Sequence, residues 1–265
     1  MVTGPPYSMP FNKNIIKEKE LSIHIFKDGF SFCTHSTRLF FDVKSNPIKK
    51  DNAFKKLLED NSLLDFQKVS CIYFNRPATF VPQSLYHSSK TENYLKHNVD
   101  HNSSLKITGD DSLNKEIKIL YEIQEDKQKA LKHYFRNISF SHYTKVLYDY
   151  LSKGVKGDAG TVFYLHMQNQ QFEVMIFDGE QLSFYNSYPC KNEDDFLYFV
   201  LAIAEERALD STGFSIVFLG KYDRYNSYYK ALENYKEKLE YIDGIDSALF
   251  NLEQHPAPFF INIFD

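Results

Sequence analysis

One order of segments is written twice along this chain, and no other feature limits its fold as sharply. In the first instance residues 20–27, ELSIHIFK, alternate in the way of a half-buried strand, and Asp28-Gly29 supplies a hairpin turn. FSFCTHS and RLFFDV read as second and third strands. After the break NPIKKD, the stretch NAFKKLLEDNSLLDF has helical spacing, with Phe54, Leu57, Leu58 and Leu64 on one side. KVSCIYFN is the fourth strand. The second instance runs TVFYLHMQ, QFEVMIF, the turn Asp178-Gly179, EQLSFYNSY, a helix and FSIVFLG. Asn192 caps that helix, and Glu193, Asp194 and Asp195 suit its positive end. The helix runs to about Leu209 and is apolar around most of its girth, which predicts a sandwiched position.

The remaining segments connect and close these two units. Residues 84–114 are polar, rich in Ser, Asn, Asp and His, and read as an insertion or mobile excursion. KEIKILYEI returns to strand character, and EDKQKALKHYFRN is helical with Ala130, Leu131, Tyr134 and Phe135 inward. Ser141 is placed to cap a further helix, whose Tyr143, Val146, Leu147, Tyr150 and Leu151 form one stripe and which Gly154 ends. A Tyr-rich helix at about Tyr225–Tyr241 follows the second unit, and PAPFFINIFD reads as an edge strand.

Three antiparallel strands, a crossover helix and a parallel strand make a compact half with a mixed sheet. Two such halves predict an α/β fold of two lobes flanking a cleft, the arrangement of the duplicated ribonuclease-H-like half in actin-like ATPases. The lobes would occupy residues 1–155, with the insertion at about 84–114, and 156–265, with the connection near 152–160. A single larger α/β domain without a cleft is the rival arrangement. The 265 residues, 43% of them hydrophobic, suffice for either. A net charge of −4 removes the usual electrostatic case for a nucleic-acid partner. Cys33, Cys71 and Cys190 stand far apart, as expected in a reducing compartment, and no run is long enough for a membrane span. A cytoplasmic location is therefore expected.

LSIHIFKDGFSF, FDGEQLSFYNSY, EDDFLYFVLAIAEE and IVFLG resemble the uncharacterised bacterial domain-of-unknown-function family 3822. The resemblance covers most of the chain and is weakest in residues 84–114. It implies an actin-like ATPase fold and brings no established activity. The second half also resembles pilus-assembly and type II secretion proteins that use this fold as an assembly platform, which implies a protein partner.

An actin-like ATPase needs a carboxylate at the end of the first strand of each half, acting through Mg²⁺, and a Gly-rich turn whose N–H groups reach phosphate. Here His24 and His166 stand near the two carboxylate positions, with Phe26-Lys27 and Met167-Gln168 where small residues would be wanted. Asp158-Ala159-Gly160-Thr161 matches a phosphate loop by letter, but it follows a helical stretch and leads into a strand, so it reads as the linker. Gly220 stands alone where a Gly-Gly turn would pack on adenosine. The candidates for a cleft site are thus His24, Asp28, His166 and Gly220. The paired histidines admit three readings: strand histidines without a task, two groups facing across the cleft to hold an anion or metal, or a register one residue off.

Other constellations point to less chemistry. His97 and His101 flank Asp100 in a polar segment without a third ligand. Cys33 and His35 share a strand face, where core packing is the plainer reading, and no Gly-x-Ser-x-Gly elbow occurs. The central strands offer no acidic cluster for a nuclease. Tyr225, Tyr228, Tyr229, Leu232 and Tyr235 make a stripe suited to a core or an interface. The expectation is a non-catalytic actin-like module that binds a protein partner, with no cofactor and no metal. A nucleotide-binding protein or ATPase using ATP and Mg²⁺ at a divergent phosphate site is the second reading.

Overall fold

The structure, a computed structural model, describes residues 20–26, 29–33, 38–42, 51–60, 62–74, 77–99, 104–154, 160–168, 170–236 and 239–242. In the first lobe β1 (Glu20–Ile25), β2 (Gly29–Cys33) and β3 (Arg38–Asp42) form an antiparallel meander. α1 (Asp51–Asp60) then crosses over to β4 (Lys68–Tyr73), which pairs parallel to β1. In the second lobe β9 (Thr161–Gln168), β10 (Gln171–Asp178) and β11 (Gln181–Pro189) repeat the meander. α5 (Glu193–Glu206) crosses over to β12 (Phe214–Leu219), parallel to β9.

Each sheet is completed by one more parallel strand. β8 (Ile138–His142) joins β4, and β13 (Glu240–Ile242) joins β12, giving the orders β3-β2-β1-β4-β8 and β11-β10-β9-β12-β13. The two five-stranded sheets thus repeat one another in strand order and in the sense of every pairing. They are two ribonuclease-H-like halves of a two-lobed fold.

Burial explains the spacing of the helices. Phe54 of α1 packs edge-on to Phe30 of β2 and to Tyr134 of α3 (Glu125–Tyr134). Helix α1 stops at Asp60, short of the predicted end at Phe66, and the chain turns through Ser62 at φ 53°. Leu63 is consequently buried and Leu64, expected inward, is exposed. On the other lobe Phe196 of α5 meets Phe172 of β10, and Tyr229 of α6 (Asn226–Glu233) meets Phe218 of β12. The Asn192 side chain accepts the Asp195 N–H at 2.8 Å, the predicted cap. The tyrosine stripe is core over most of its length: Tyr225, Tyr229 and Leu232 are buried, Tyr228 is half-buried and Tyr235 is exposed. It ends earlier than predicted, and Tyr241 lies on β13 instead of on the helix. PAPFFINIFD lies outside the described residues.

Two further differences concern the middle of the chain. Ser141 is no helix cap; it belongs to β8, and α4 (Tyr143–Gly154) starts two residues later. Residues 84–114 are not an unpatterned loop among the residues described. α2 (Thr91–Lys96) and β6 (Lys106–Asp111) lie there, and β5 (Ala78–Pro82), β7 (Ile117–Ile123) and β6 form a third sheet in the order β5-β7-β6. A small core of Val81, Leu95 and Leu120 holds this sheet to α2.

Helix α4 sits between the two main sheets. Its Tyr143 stacks on Phe74, just past β4, and Tyr148 stacks on Phe177 of β10. The apolar core is accordingly continuous from one lobe to the other. Phe80 of β5 stacks on Tyr185 of β11 with centroids 4.2 Å apart, tying the inserted sheet to the second lobe. No described helix is long and apolar enough to cross a membrane.

Candidate functional site

The chemistry of this architecture is sought where parallel strands end, because loops there converge on the space between lobes. His24 lies on β1 opposite Ser31, and His166 on β9 opposite Glu173. Both histidines are fully buried. The Ser22 hydroxyl is 2.9 Å from His24 Nε2, since residues two apart on a strand share a face. The His24 ring packs on Phe74 at 5.1 Å, Phe74 stacks on Tyr143 at 5.0 Å, and Tyr143 meets the His166 ring at 5.8 Å. Phe26 closes the near end, 4.9 Å from Phe74. A row of aromatic rings therefore runs from one histidine to the other through the junction of the lobes.

Around His166 the row is bordered by polar groups. His166 Nδ1 lies 3.3 Å from Glu173 Oε2 and 3.3 Å from Gln168 Nε2. Gln168 Nε2 donates to the Tyr143 hydroxyl at 2.8 Å, and the Tyr185 hydroxyl donates to Glu173 Oε1 at 3.1 Å. Burial, and after it the Glu173 carboxylate, push the Tyr143 and Tyr185 hydroxyls well above the usual tyrosine range. Both phenols are thus protonated donors at neutral pH. The first lobe adds His142, whose Nδ1 is 2.7 Å from the Thr144 hydroxyl.

Of the four residues picked from sequence, the structure sets His24 and His166 at the two ends of this aromatic row. Asp28 lies outside the described residues, as do Asp158, His35, Asp100 and His101. Gly160 and Thr161 lead into β9. Gly220 follows β12 with φ 94°, at the same edge of the second sheet as Gln168, because β12 runs parallel to β9. The space above Gly220 is taken: a β-carbon there would meet Tyr222 Cε2 at 2.2 Å. Tyr222 is held in turn by its N–H to the Tyr229 hydroxyl at 3.2 Å. Among the described residues no group of three or more His, Cys, Asp or Glu side chains could hold a metal ion.

Sequence reading missed Phe74, Gln168, Tyr185 and Glu173 as members of this cluster. A signal for Glu173 existed. Gln168 pairs with Gln171, and counting back along the ladder places His166 opposite Glu173. Gln168 lies two residues from His166 on the same strand and Tyr185 reaches Glu173 from the neighbouring strand β11, whereas Phe74 is joined only by packing between lobes.

Among solved structures, a protein of unknown function with an actin-like ATPase fold from Bacteroides thetaiotaomicron matches with a TM-score of 0.74 at 16% identity, over 87% of this chain and 94% of that one. That likeness establishes the two-lobed actin-like fold here. More distant are the PilM–PilN type IV pilus biogenesis complex, with a TM-score of 0.45 at 9% identity over 89% of this chain and 93% of that one, and the Aquifex aeolicus PPX-GPPA enzyme, with 0.33 at 11% over 76% and 67%. No curated protein matches the chain in sequence. The family described as protein of unknown function, DUF3822, matches residues 8–239, and the chain belongs to that family.

Proposed function

We propose that this protein is a non-catalytic actin-like module that works through contacts with another protein, and that its ancestral nucleotide site has been converted into core. The observation that carries this reading is the filled junction. Where an actin-like ATPase would bring an acid to each first-strand tip, His24 and His166 are buried, with Phe74 and Tyr143 between them. Tyr222 likewise occupies the room above Gly220 that an adenosine would need. Triphosphate bound here would have to displace packed rings, and no described acid cluster would hold its magnesium. On this reading the protein uses neither ATP nor Mg²⁺.

The surface then carries the function. Leu85, Leu113 and Tyr150 are exposed apolar groups on segments gathered around the β6–β7 turn. Gln83 N–H donates to the Glu116 carbonyl, and Leu113 N–H donates to Asp149 Oδ1 at 2.8 Å. Apolar side chains so placed suit a protein contact.

Thermal unfolding with Mg²⁺-ATP tests the first part. A ligand at 100 times its dissociation constant stabilises by about 2.7 kcal/mol, so an unchanged midpoint is expected up to millimolar nucleotide. A clear shift that His166→Ala abolishes would establish the nucleotide-binding reading instead. Affinity capture from the native cell tests the second part. A partner retained by the wild type and lost with Leu113→Asp supports it, and a partner indifferent to that change removes this surface.

A further inference from the structure

On the outer face of the second sheet, away from the lobe junction, α5 and α6 part over the start of β12. They leave an open-sided cavity of about 470 Å³. Its walls are apolar: Val200 and Ala204 from α5, Phe214 and Ile216 from β12, and Leu232 from α6. The size lies within the range of small-molecule sites, roughly 300–1,000 Å³. One cation lines it. Lys236 is buried, yet among the described residues no carboxylate lies within ion-pair distance of it. Its Nζ donates to the main-chain carbonyls of Ser211 and Phe214 and rests 3.6 Å from the centroid of the Phe214 ring.

A buried ammonium held by carbonyl dipoles and a ring face, with no carboxylate in direct contact, is costly to hold, and a monoanion in the cavity would offset that cost. Burial already pushes Lys236 below the usual lysine range, with Asp210 opposing through space. The two acids of the lining set the limit on the ligand's charge. Asp210 Oδ1 is engaged by the Thr212 N–H and hydroxyl, and Glu205 is exposed at the rim. Both would repel a dianion such as a phosphate monoester more strongly than a single carboxylate.

We propose that the α5–α6 cavity is a binding site for a small aliphatic carboxylate, with the carboxylate on Lys236 Nζ and the hydrocarbon between Ala204, Phe214 and Leu232. This site is independent of the lobe junction and of any nucleotide chemistry there.

Isothermal titration of the full chain with decanoate, and with decanol as its uncharged counterpart, tests the assignment. Saturable decanoate binding, about tenfold tighter than decanol, is expected from one charge-assisted contact. Lys236→Met should bring decanoate down to the affinity of decanol and leave decanol unchanged. Ala204→Phe, which fills the wall without touching the lysine, should abolish both. No saturable decanoate binding, equal affinities for the two probes, or decanoate binding that survives Ala204→Phe would overturn the proposal. Should Lys236→Met fail to fold, the wild-type comparison of the two probes and Ala204→Phe still decide it.

Discussion

Phe74 and Tyr143 lie face to face, with centroids 5.0 Å apart and ring planes within 7° of parallel. Phe74 follows the fourth strand of the first lobe, and Tyr143 opens the helix that separates the lobes. The same Tyr143 accepts from Gln168 of the second lobe at 2.8 Å. A single side chain therefore contributes packing to one lobe and a hydrogen bond to the other. Tyr143→Phe keeps the stack and strands a buried Gln168 N–H, and should cost about 1–2 kcal/mol. Tyr143→Ala removes both contacts and opens a cavity, and should cost about 3–5 kcal/mol. Urea unfolding of the two variants checks the order; equal losses would mean that the ring stack adds nothing beyond the hydroxyl.

Gly220 is fixed by its neighbour as well as by its backbone. Its φ of 94° already disfavours any side chain, and a β-carbon would overlap the Tyr222 ring at 2.2 Å. Gly220→Ala should cost at least about 2 kcal/mol in thermal unfolding. Combined with Tyr222→Ala it should cost less than the sum of the two single changes, because the overlap disappears and only the backbone strain stays. Strict additivity would show that the ring moves aside without cost.

The twin halves were legible because their signals are local. A strand of alternating residues, the Asp178-Gly179 turn and the Asn192 cap each act within a few residues, and each stands where expected. What escaped was held by distant partners. ISFSH has two serines and looks like a helix start, yet β8 forms because β4 offers it a parallel ladder from Val69↔Ile138 to Tyr73↔His142. KITGDD contains Gly and two Asp, poor strand residues, and becomes β6 through pairing with β7. At the junction, His24 and His166 were visible as polar letters in apolar strands. Their link through Phe74 and Tyr143 exists only once two sheets meet.

One acid helps to anchor the inserted sheet beside the Phe80–Tyr185 stack. Asp110 of β6 accepts from the His142 N–H at 2.7 Å, the Ser141 hydroxyl at 3.1 Å and the Tyr121 hydroxyl at 3.1 Å. It therefore satisfies the backbone where α4 begins, from a segment remote in sequence. Asp110→Ala leaves three donors without this acceptor and should cost about 2 kcal/mol or more. Hydrogen exchange should show β6 and β7 amides losing protection before those of β9 and β10. A uniform loss across the molecule would deny the insertion an anchor of its own.

The buried tyrosines set the behaviour of the protein at high pH. Tyr143 and Tyr185 are held well above the ordinary range, first by burial and then by Glu173. In the unfolded chain each ionises near pH 10, whereas the folded chain keeps both protons there. Above about pH 10 the unfolded state thus binds fewer protons than the folded one, so stability, constant below that pH as far as these groups go, falls as pH rises. Phenolate absorbance followed alongside circular dichroism reads this directly. Tyr143 and Tyr185 should ionise only as the dichroism collapses. All tyrosines ionising together in a folded protein would mean that the junction admits water, and with it the room that a nucleotide would need.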